Sequence, residues 1–217
     1  KVVIASRGMQ KLQDAAKKIE AETGAKVTCL QGDANSEESI IKLAEGVVST
    51  FGTVDILVNA YGSATKKPAD EFPGDVWDSL FDLNVKGVMF CCREFGKTMI
   101  KNKKGKIINV SSQAGTVGLI KRAAYGSSKG AVNNLTRVLA LEWGKHNICV
   151  NALAPTFVET PMTRPMLSEK SFHDYVMGNI LLGRLCKPED LTGALIYLAS
   201  DASNMVTGHI LHIDGGW

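Results

Sequence analysis

Residues 106–129 read KIINVSSQAGTVGLIKRAAYGSSK and combine an apolar run, a polar turn and the start of a helical pattern. The apolar run is short and rich in isoleucine and valine, which is typical of a buried strand. Tyr125 stands four positions before Lys129, a spacing that puts both side chains on one face of a helix. A nearby ammonium favours a phenolate, so the pair is a candidate acid/base group. A packed tyrosine beside a solvated lysine is the alternative that this spacing alone leaves open.

Strand and helix patterns alternate along the rest of the chain, which predicts parallel strands joined by right-handed crossovers. The predicted fold is therefore a doubly wound parallel sheet of Rossmann type, a three-layer α/β/α arrangement in a single domain over residues 1–217. Asn35 is the expected N-cap of the second helix, with Glu38 at the capping-box position. The proline-containing stretch after the fifth strand is expected to be irregular. Predicted strands cover residues 1–6, 26–31, 56–59, 106–110, 148–153 and 209–213, and helices 9–23, 36–51, 76–103, 125–146 and 189–199.

Composition excludes several classes of function. The net charge of +3 over 217 residues is too small to indicate binding to nucleic acid or to an anionic membrane. No apolar run approaches the roughly 20 residues of a membrane span. The histidines show no metal-ligand spacing, so we predict no metal. The five cysteines lack a C-x-x-C pair and are expected to be reduced thiols of a cytoplasmic protein.

Polar residues follow several predicted strands at the point where each strand ends. In a doubly wound sheet, ligands bind beyond the carboxyl ends of the strands. The candidate chemistry therefore gathers at one edge of the sheet. The residues at these ends are Ser6, Arg7, Asp33, Asn59, Ser111, Ser112 and Pro155.

With these motifs in order, the chain resembles the short-chain dehydrogenase/reductase family over essentially its whole length. The resemblance implies that Tyr125 exchanges a proton with the substrate oxygen, and that Lys129 lowers the pKa of Tyr125 and binds the nicotinamide ribose. It implies that Ser112 holds the substrate oxygen and that Asn84 holds a water of a proton relay. The residues that carry it are Asp33, Asp55–Asn59, Asn84, Ser111, Ser112, Tyr125, Lys129, Asn151–Pro155 and Asp214–Gly216.

The same resemblance implies a nicotinamide cofactor. Ser6 and Arg7 stand where an acidic residue would select NAD, and a guanidinium suits a 2′-phosphate, so we predict NADP(H) with NAD(H) as the alternative. Asp33 is expected to accept a hydrogen bond from adenine. Two departures from the family pattern are Tyr61 and Thr156. The predicted cofactor-binding residues are Ser6, Arg7, Asp33, Ala34, Asn59, Ala60, Tyr61, Tyr125, Lys129, Pro155, Val158 and Thr160.

The family's Gly-rich phosphate turn is absent from the sequence. We expect about 25 to 40 further N-terminal residues that supply the first strand, the turn and the first helix. The domain over residues 1–217 is therefore predicted to lack these three elements.

The substrate expected from the resemblance is a secondary alcohol or ketone, a sugar acid or polyol as in gluconate 5-dehydrogenase-like proteins. A 3-oxoacyl thioester reductase is the alternative within the family. An inactive fragment or binding scaffold is the alternative of another class. We expect a homotetramer or homodimer, formed through the two long helices and the terminal DGGW segment. The helix residues expected at these contacts are Val85, Val88, Phe90, Phe95, Ala131, Leu135 and Leu139.

Overall fold

Six strands at the centre of the computed structural model pair in parallel, and the structure describes residues 1–161 and 163–217. They form a two-stranded sheet, β1-β2, and a four-stranded sheet in the order β3-β4-β5-β6. The strands are β1 Val2–Ser6, β2 Val27–Gln31, β3 Ile56–Asn59, β4 Gly105–Val110, β5 Ile148–Pro155 and β6 Ile210–Ile213.

In the described residues eight α-helices connect or follow these strands, and six of them lie where the sequence pattern predicts. They are α1 Met9–Thr23, α2 Glu37–Phe51, α3 Gly74–Phe81, α4 Val88–Asn102, α5 Ala123–Trp143, α6 Arg164–Leu167, α7 Lys170–Asn179 and α8 Pro188–Ala199. The predicted long helix over 76–103 is continuous but contains a wider π-helical segment, Asp82–Gly87, between α3 and α4. The stretch expected to be irregular contains α6 and α7, so that prediction was wrong.

Helices cover both faces of the four-stranded sheet, which confirms the predicted three-layer α/β/α fold. On β4, Ile107 packs in a cluster with Val132 and Leu139 of α5. The next residue, Ile108, faces the opposite way and packs with Leu198 of α8. This alternation follows from the two-residue period of a strand, and both isoleucines are fully buried.

The two sheets are joined through helices rather than through strand pairing. Leu30 of β2 and Leu57 of β3 both pack against a cluster that α2 and α4 share. Among residues 1–161 and 163–217, no strand pairs with β1 on the side opposite β2, or with β3 on the side opposite β4. Val2 and Ile56 on these edges are 55% and 45% exposed. The expectation of a further strand stays a prediction.

Two local expectations differ from the structure. The N-cap of α2 is Ser36, whose Oγ accepts a hydrogen bond from the backbone N–H of Ser39, so the prediction of Asn35 was wrong. The residues expected at subunit contacts include Val88, Phe95 and Leu139, and these are buried inside the subunit. They pack there because the apolar faces of α4 and α5 are needed to cover the sheet.

Candidate active site

Tyr125 and Lys129 lie one helical turn apart near the start of α5, so the predicted pair shares one site. The Lys129 side chain is almost fully buried, and its Nζ donates a hydrogen bond of 2.9 Å to the backbone carbonyl of Val110 at the end of β4. The same Nζ lies 5.9 Å from the centre of the Tyr125 ring. Burial lowers the pKa of Lys129 to about 8, because the ammonium loses hydration that one carbonyl only partly replaces.

The pKa of the Tyr125 phenol is set by burial and by two neighbours. Burial raises it above its ordinary value, while a hydrogen bond from Ser112 and the charge of Arg122 lower it. The sequence suggested that Lys129 would be the cation that favours the phenolate. In this structure the Lys129 ammonium is directed to the Val110 carbonyl, and Arg122 is the cation that acts on Tyr125.

Ser112 is held beside α5 by a short 3₁₀ turn, Gln113–Gly115, which follows β4. Its Oγ caps this turn by accepting a 3.2 Å hydrogen bond from the backbone N–H of Ala114. Ser111 donates a 2.6 Å hydrogen bond to Asn133 of α5. A Cβ at Gly115 would lie 2.7 Å from the carbonyl carbon of Lys129, so only glycine permits this close approach. These contacts place Ser112 beside α5, where its hydroxyl reaches the Tyr125 phenol.

Asn84 lies in the π-helical segment and binds the loop that follows β3. Its Oδ1 accepts from the backbone N–H of Ser63 at 2.9 Å, and its Nδ2 donates to the Ser63 carbonyl at 2.9 Å and to Ser128 Oγ at 3.0 Å. A Cβ at Gly62 would lie 3.0 Å from Asn84 Oδ1 and 3.4 Å from Lys129 Nζ. The Asn84 side chain therefore joins this loop to α5, and its role in a proton relay stays a prediction.

Arg7 and Asp33, two of the predicted cofactor residues, line one cavity of about 380 Å³ at the carboxyl ends of β1 and β2. Arg7 is exposed, so its guanidinium is accessible to a ligand. Ser6 is also exposed, at the end of β1, and Ala34 follows Asp33 in the next loop. The Arg7 guanidinium as a hydrogen-bond donor and the Asp33 carboxylate as an acceptor fit the adenosine end of a dinucleotide.

Two predicted cofactor residues, one at the end of β3 and one just after it, make contacts within the protein. Asn59 is buried and donates a 2.9 Å hydrogen bond to Asn109 Oδ1, which joins β3 to β4. The Tyr61 hydroxyl donates to Cys91 Sγ of α4 at 3.4 Å, and its ring packs against the core. Burial raises the pKa of this phenol well above its ordinary value. Tyr61 thus fills space between the sheet and α4, while its neighbour Ala60 is exposed.

The segment after β5 carries the remaining cofactor positions. Pro155 is the last residue of β5, Val158 forms a bridge with Cys186, and Thr160 Oγ1 lies 3.1 Å from Thr163 Oγ1. The Thr156 hydroxyl and the Gln113 side-chain amide are buried, with no hydrogen-bond partner in the described part of the chain. A buried polar atom needs a partner, so these atoms fit a ligand with donors and acceptors, such as a nicotinamide carboxamide.

The helices α6 and α7 pack against the segment that follows β5, and one charged residue that contacts α6 was missed by the sequence reasoning. Phe157 lies 5.5 Å from Phe172 and 5.6 Å from Trp217, measured between ring centres. The terminal segment, expected at a subunit contact, therefore packs its tryptophan within the subunit. Arg122 is buried just before α5. Its position three residues before Tyr125 places it near the proposed site, but no sequence pattern indicates that its side chain is buried.

Known proteins resemble this chain in sequence and in structure. The family model described as enoyl-(acyl carrier protein) reductase matches residues 1–217. Gluconate 5-dehydrogenase of Gluconobacter oxydans (strain 621H) is 34% identical over 215 residues, which cover 99% of this chain and 84% of that protein. The 2-dehydro-3-deoxy-D-gluconate 5-dehydrogenase of Dickeya dadantii (strain 3937) is 38% identical over 195 residues, covering 89% and 77%. A crystal structure of a gluconate 5-dehydrogenase from Burkholderia cenocepacia J2315, in complex with NADP and tartrate, has a TM-score of 0.94 at 32% identity and covers 99% and 84%.

Proposed function

Since the chain belongs to the short-chain dehydrogenase/reductase family, in its gluconate 5-dehydrogenase-like branch, we propose that Tyr125 is the proton-transfer residue of its dehydrogenase/reductase reaction. In the reductive direction the phenol gives its proton to the carbonyl oxygen, and in the oxidative direction the phenolate takes it back. The observation that carries this proposal is the placement of Ser112, Tyr125 and Lys129 together at the end of β4 and the start of α5.

The other side chains hold the substrate and the proton in place. Ser112 donates a hydrogen bond to the oxygen that Tyr125 protonates, because it already reaches the same phenol. With a pKa of about 8, Lys129 exchanges a proton near working pH and passes it to Tyr125. When bound, the nicotinamide supplies the hydride that the carbonyl carbon accepts, which yields the secondary alcohol and the oxidised cofactor.

We propose that NADP(H) is the preferred cofactor, with Arg7 binding the 2′-phosphate. Arg7 is exposed in the cavity that Asp33 also lines, where a guanidinium can form paired hydrogen bonds with a phosphate. Arg7→Ala should raise KM for NADPH roughly 10- to 100-fold and leave KM for NADH nearly unchanged. Lys18→Ala, on the exposed side of α1, is the control and should change neither constant. Equal effects on both cofactors would refute the role of Arg7.

We propose a sugar acid or polyol as the substrate, consistent with the relatives that act on gluconate and on 2-dehydro-3-deoxy-D-gluconate. A panel of keto-sugar acids, polyols and a 3-oxoacyl thioester, assayed with NADPH or NADP⁺, tests this proposal. The highest kcat/KM is expected for a sugar acid or polyol. A preference for the thioester would favour the alternative reductase, and absence of NADPH binding would favour a scaffold.

We also propose a homotetramer or homodimer in the cytoplasm. Apolar side chains remain exposed on the subunit, including Leu141 at 84%, Ile196 at 67% and Met205 at 97%. Where exposed apolar groups adjoin, as Val138 and Leu141 do one turn apart on α5, the surface suits a subunit contact. In the described part of the chain, no helix is long and apolar enough to cross a membrane.

A further inference from the structure

Arg122 is a buried cation for which the described residues supply no anion. Only 7% of its surface is exposed, and the contact of its Nη2 is the Met166 sulfur at 2.9 Å. In residues 1–161 and 163–217, no carboxylate lies within 4.0 Å of its guanidinium. A thioether is a weak acceptor, whereas a buried guanidinium is stabilised by a carboxylate or phosphate. The buried carboxylate Glu94, in contrast, is paired with both Arg93 and Lys97.

The position of Arg122 connects the proposed catalytic tyrosine to a second cavity. The residue immediately precedes α5, three positions before Tyr125, and its charge lowers the pKa of that phenol. It also lines a cavity of about 280 Å³ whose walls include Phe157 and Phe172. Arg122 therefore both lines this cavity and acts electrostatically on Tyr125, which is not among the lining residues.

The charge around this cavity is positive. Lys66 and Lys121 line it together with Arg122, and the carboxylate among its lining residues, Glu169, lies 3.7 Å from the Lys66 ammonium. The Lys66 ammonium also lies 4.6 Å from the centre of the Phe172 ring. Both lysines reach solvent, so their charges are hydrated, and Arg122 is the lining cation that burial leaves in need of a ligand.

We propose that Arg122 binds the carboxylate of the substrate and thereby makes the site select sugar acids over neutral polyols and thioesters. This inference rests on the proposed function, because it assumes that the oxygen of the same substrate reaches Tyr125. A planar guanidinium forms two parallel, charge-assisted hydrogen bonds with a carboxylate, whereas a primary amide of the same shape offers one acceptor oxygen and no charge. The anion replaces the weak contact with Met166 and compensates the buried charge.

A second arginine, Arg164 at the start of α6, does not suit this role. Its side chain is 65% exposed and its Nε lies 4.0 Å from Glu159. A solvated arginine that already faces a carboxylate gains little from a second one. Arg164 therefore serves as the matched control for Arg122.

The test compares a keto acid with its neutral analogue in matched variants. Wild type, Arg122→Met, Arg122→Lys and Arg164→Met are assayed with NADPH on 5-keto-D-gluconate and on its primary amide. Arg122→Met should lower kcat/KM for the acid roughly 10- to 100-fold, mainly through KM, and for the amide less than about threefold. Arg122→Lys should recover part of the loss. Arg164→Met should stay within about twofold on both substrates.

The outcomes separate this inference from the proposed function. An equal loss on acid and amide in Arg122→Met would mean that Arg122 only supports α6, which overturns the inference. If wild type turns over neither substrate, titration with sodium gluconate by calorimetry decides. If gluconate binds to wild type and Arg122→Met abolishes this binding, the inference is supported although the proposed reaction has failed. If gluconate does not bind to wild type, or binds equally to both proteins, the inference is overturned. If Arg122→Met does not fold, Arg122→Gln takes its place in the same comparisons.

Discussion

Burial determines the behaviour of the residues in the active site more than their spacing does. Tyr125 and Lys129 lie close together, as their four-residue spacing predicts. Loss of hydration shifts the pKa of each side chain. The pKa of Lys129 falls to about 8, and the pKa of Tyr125 rises despite Ser112 and Arg122. Both shifts favour the uncharged form of the side chain, so Lys129 releases its proton more readily and Tyr125 holds its proton more firmly than in water.

The low pKa of Lys129 makes the stability of the protein depend on pH. The unfolded chain holds this proton up to its ordinary pKa of 10.5, whereas the folded protein releases it near 8. Between these values the unfolded state binds more protons, so the free energy of unfolding gains up to about 3 kcal/mol from this group as pH rises. Urea unfolding of wild type and Lys129→Met, in steps from neutral pH to about pH 10, should show this gain in wild type alone. Parallel curves for the two proteins would contradict it.

Single residues also show where sequence reasoning reaches its limit. Arg122 carries no motif, and its importance depends on burial and on the lack of an anion, which only the packed structure reveals. Tyr61 stands at a position where the family resemblance implied a cofactor-binding residue. Its hydroxyl instead reaches Cys91, because the loop turns the ring toward the core.

At the scale of elements, periodic apolar patterns predicted the strands and most helices, and local backbone details differed. The π-helical segment around Asn84 has the same apolar spacing as an α-helix over so short a length, so its wider turn was not visible in the sequence. The helices α6 and α7 were missed because three prolines suggested irregular structure. Proline is tolerated in the first turn of a helix, and Pro165 occupies that position in α6.

The N-cap of α2 is Ser36 in the structure, whereas the sequence led us to expect Asn35. Ser36 Oγ accepts from the Ser39 N–H at 3.2 Å, so Ser36→Ala leaves that backbone donor without its partner. We expect a loss of about 1 kcal/mol in the free energy of unfolding, measured by urea denaturation. Asn35→Ala is the control and should change stability by less than about 0.5 kcal/mol. A larger loss of stability in Asn35→Ala than in Ser36→Ala would indicate that Asn35 is the N-cap.

At the scale of the whole molecule, the fold class and the edge that holds the site followed from the alternation of strands and helices. The expected subunit contacts were wrong for Val88, Phe95 and Leu139, since these side chains are buried in the subunit. The helical period identifies an apolar face without showing what that face packs against. On α5, the exposed apolar residues are Val138 and Leu141, and these define the face left for a partner.

The proposed assembly makes a prediction about this face. Leu141 is 84% exposed, and Val138 lies one turn before it at 40%. Leu141→Glu would place a charge in an apolar contact, so the molar mass measured by light scattering should fall toward that of a single subunit. Lys18→Glu introduces the same side chain on α1 and should leave the mass unchanged. An unchanged mass for Leu141→Glu would exclude this face as a subunit contact.

The central claim is that Tyr125 transfers the proton in a reaction that requires a nicotinamide cofactor. The most direct measurement is turnover of the best substrate, together with NADPH binding, in wild type, Tyr125→Phe and the control Tyr197→Phe on α8. Removal of one hydroxyl should lower kcat roughly 100- to 10,000-fold in Tyr125→Phe, while Kd for NADPH stays within about threefold. Tyr197→Phe should match wild type. Activity near the wild-type level in Tyr125→Phe would contradict the assignment.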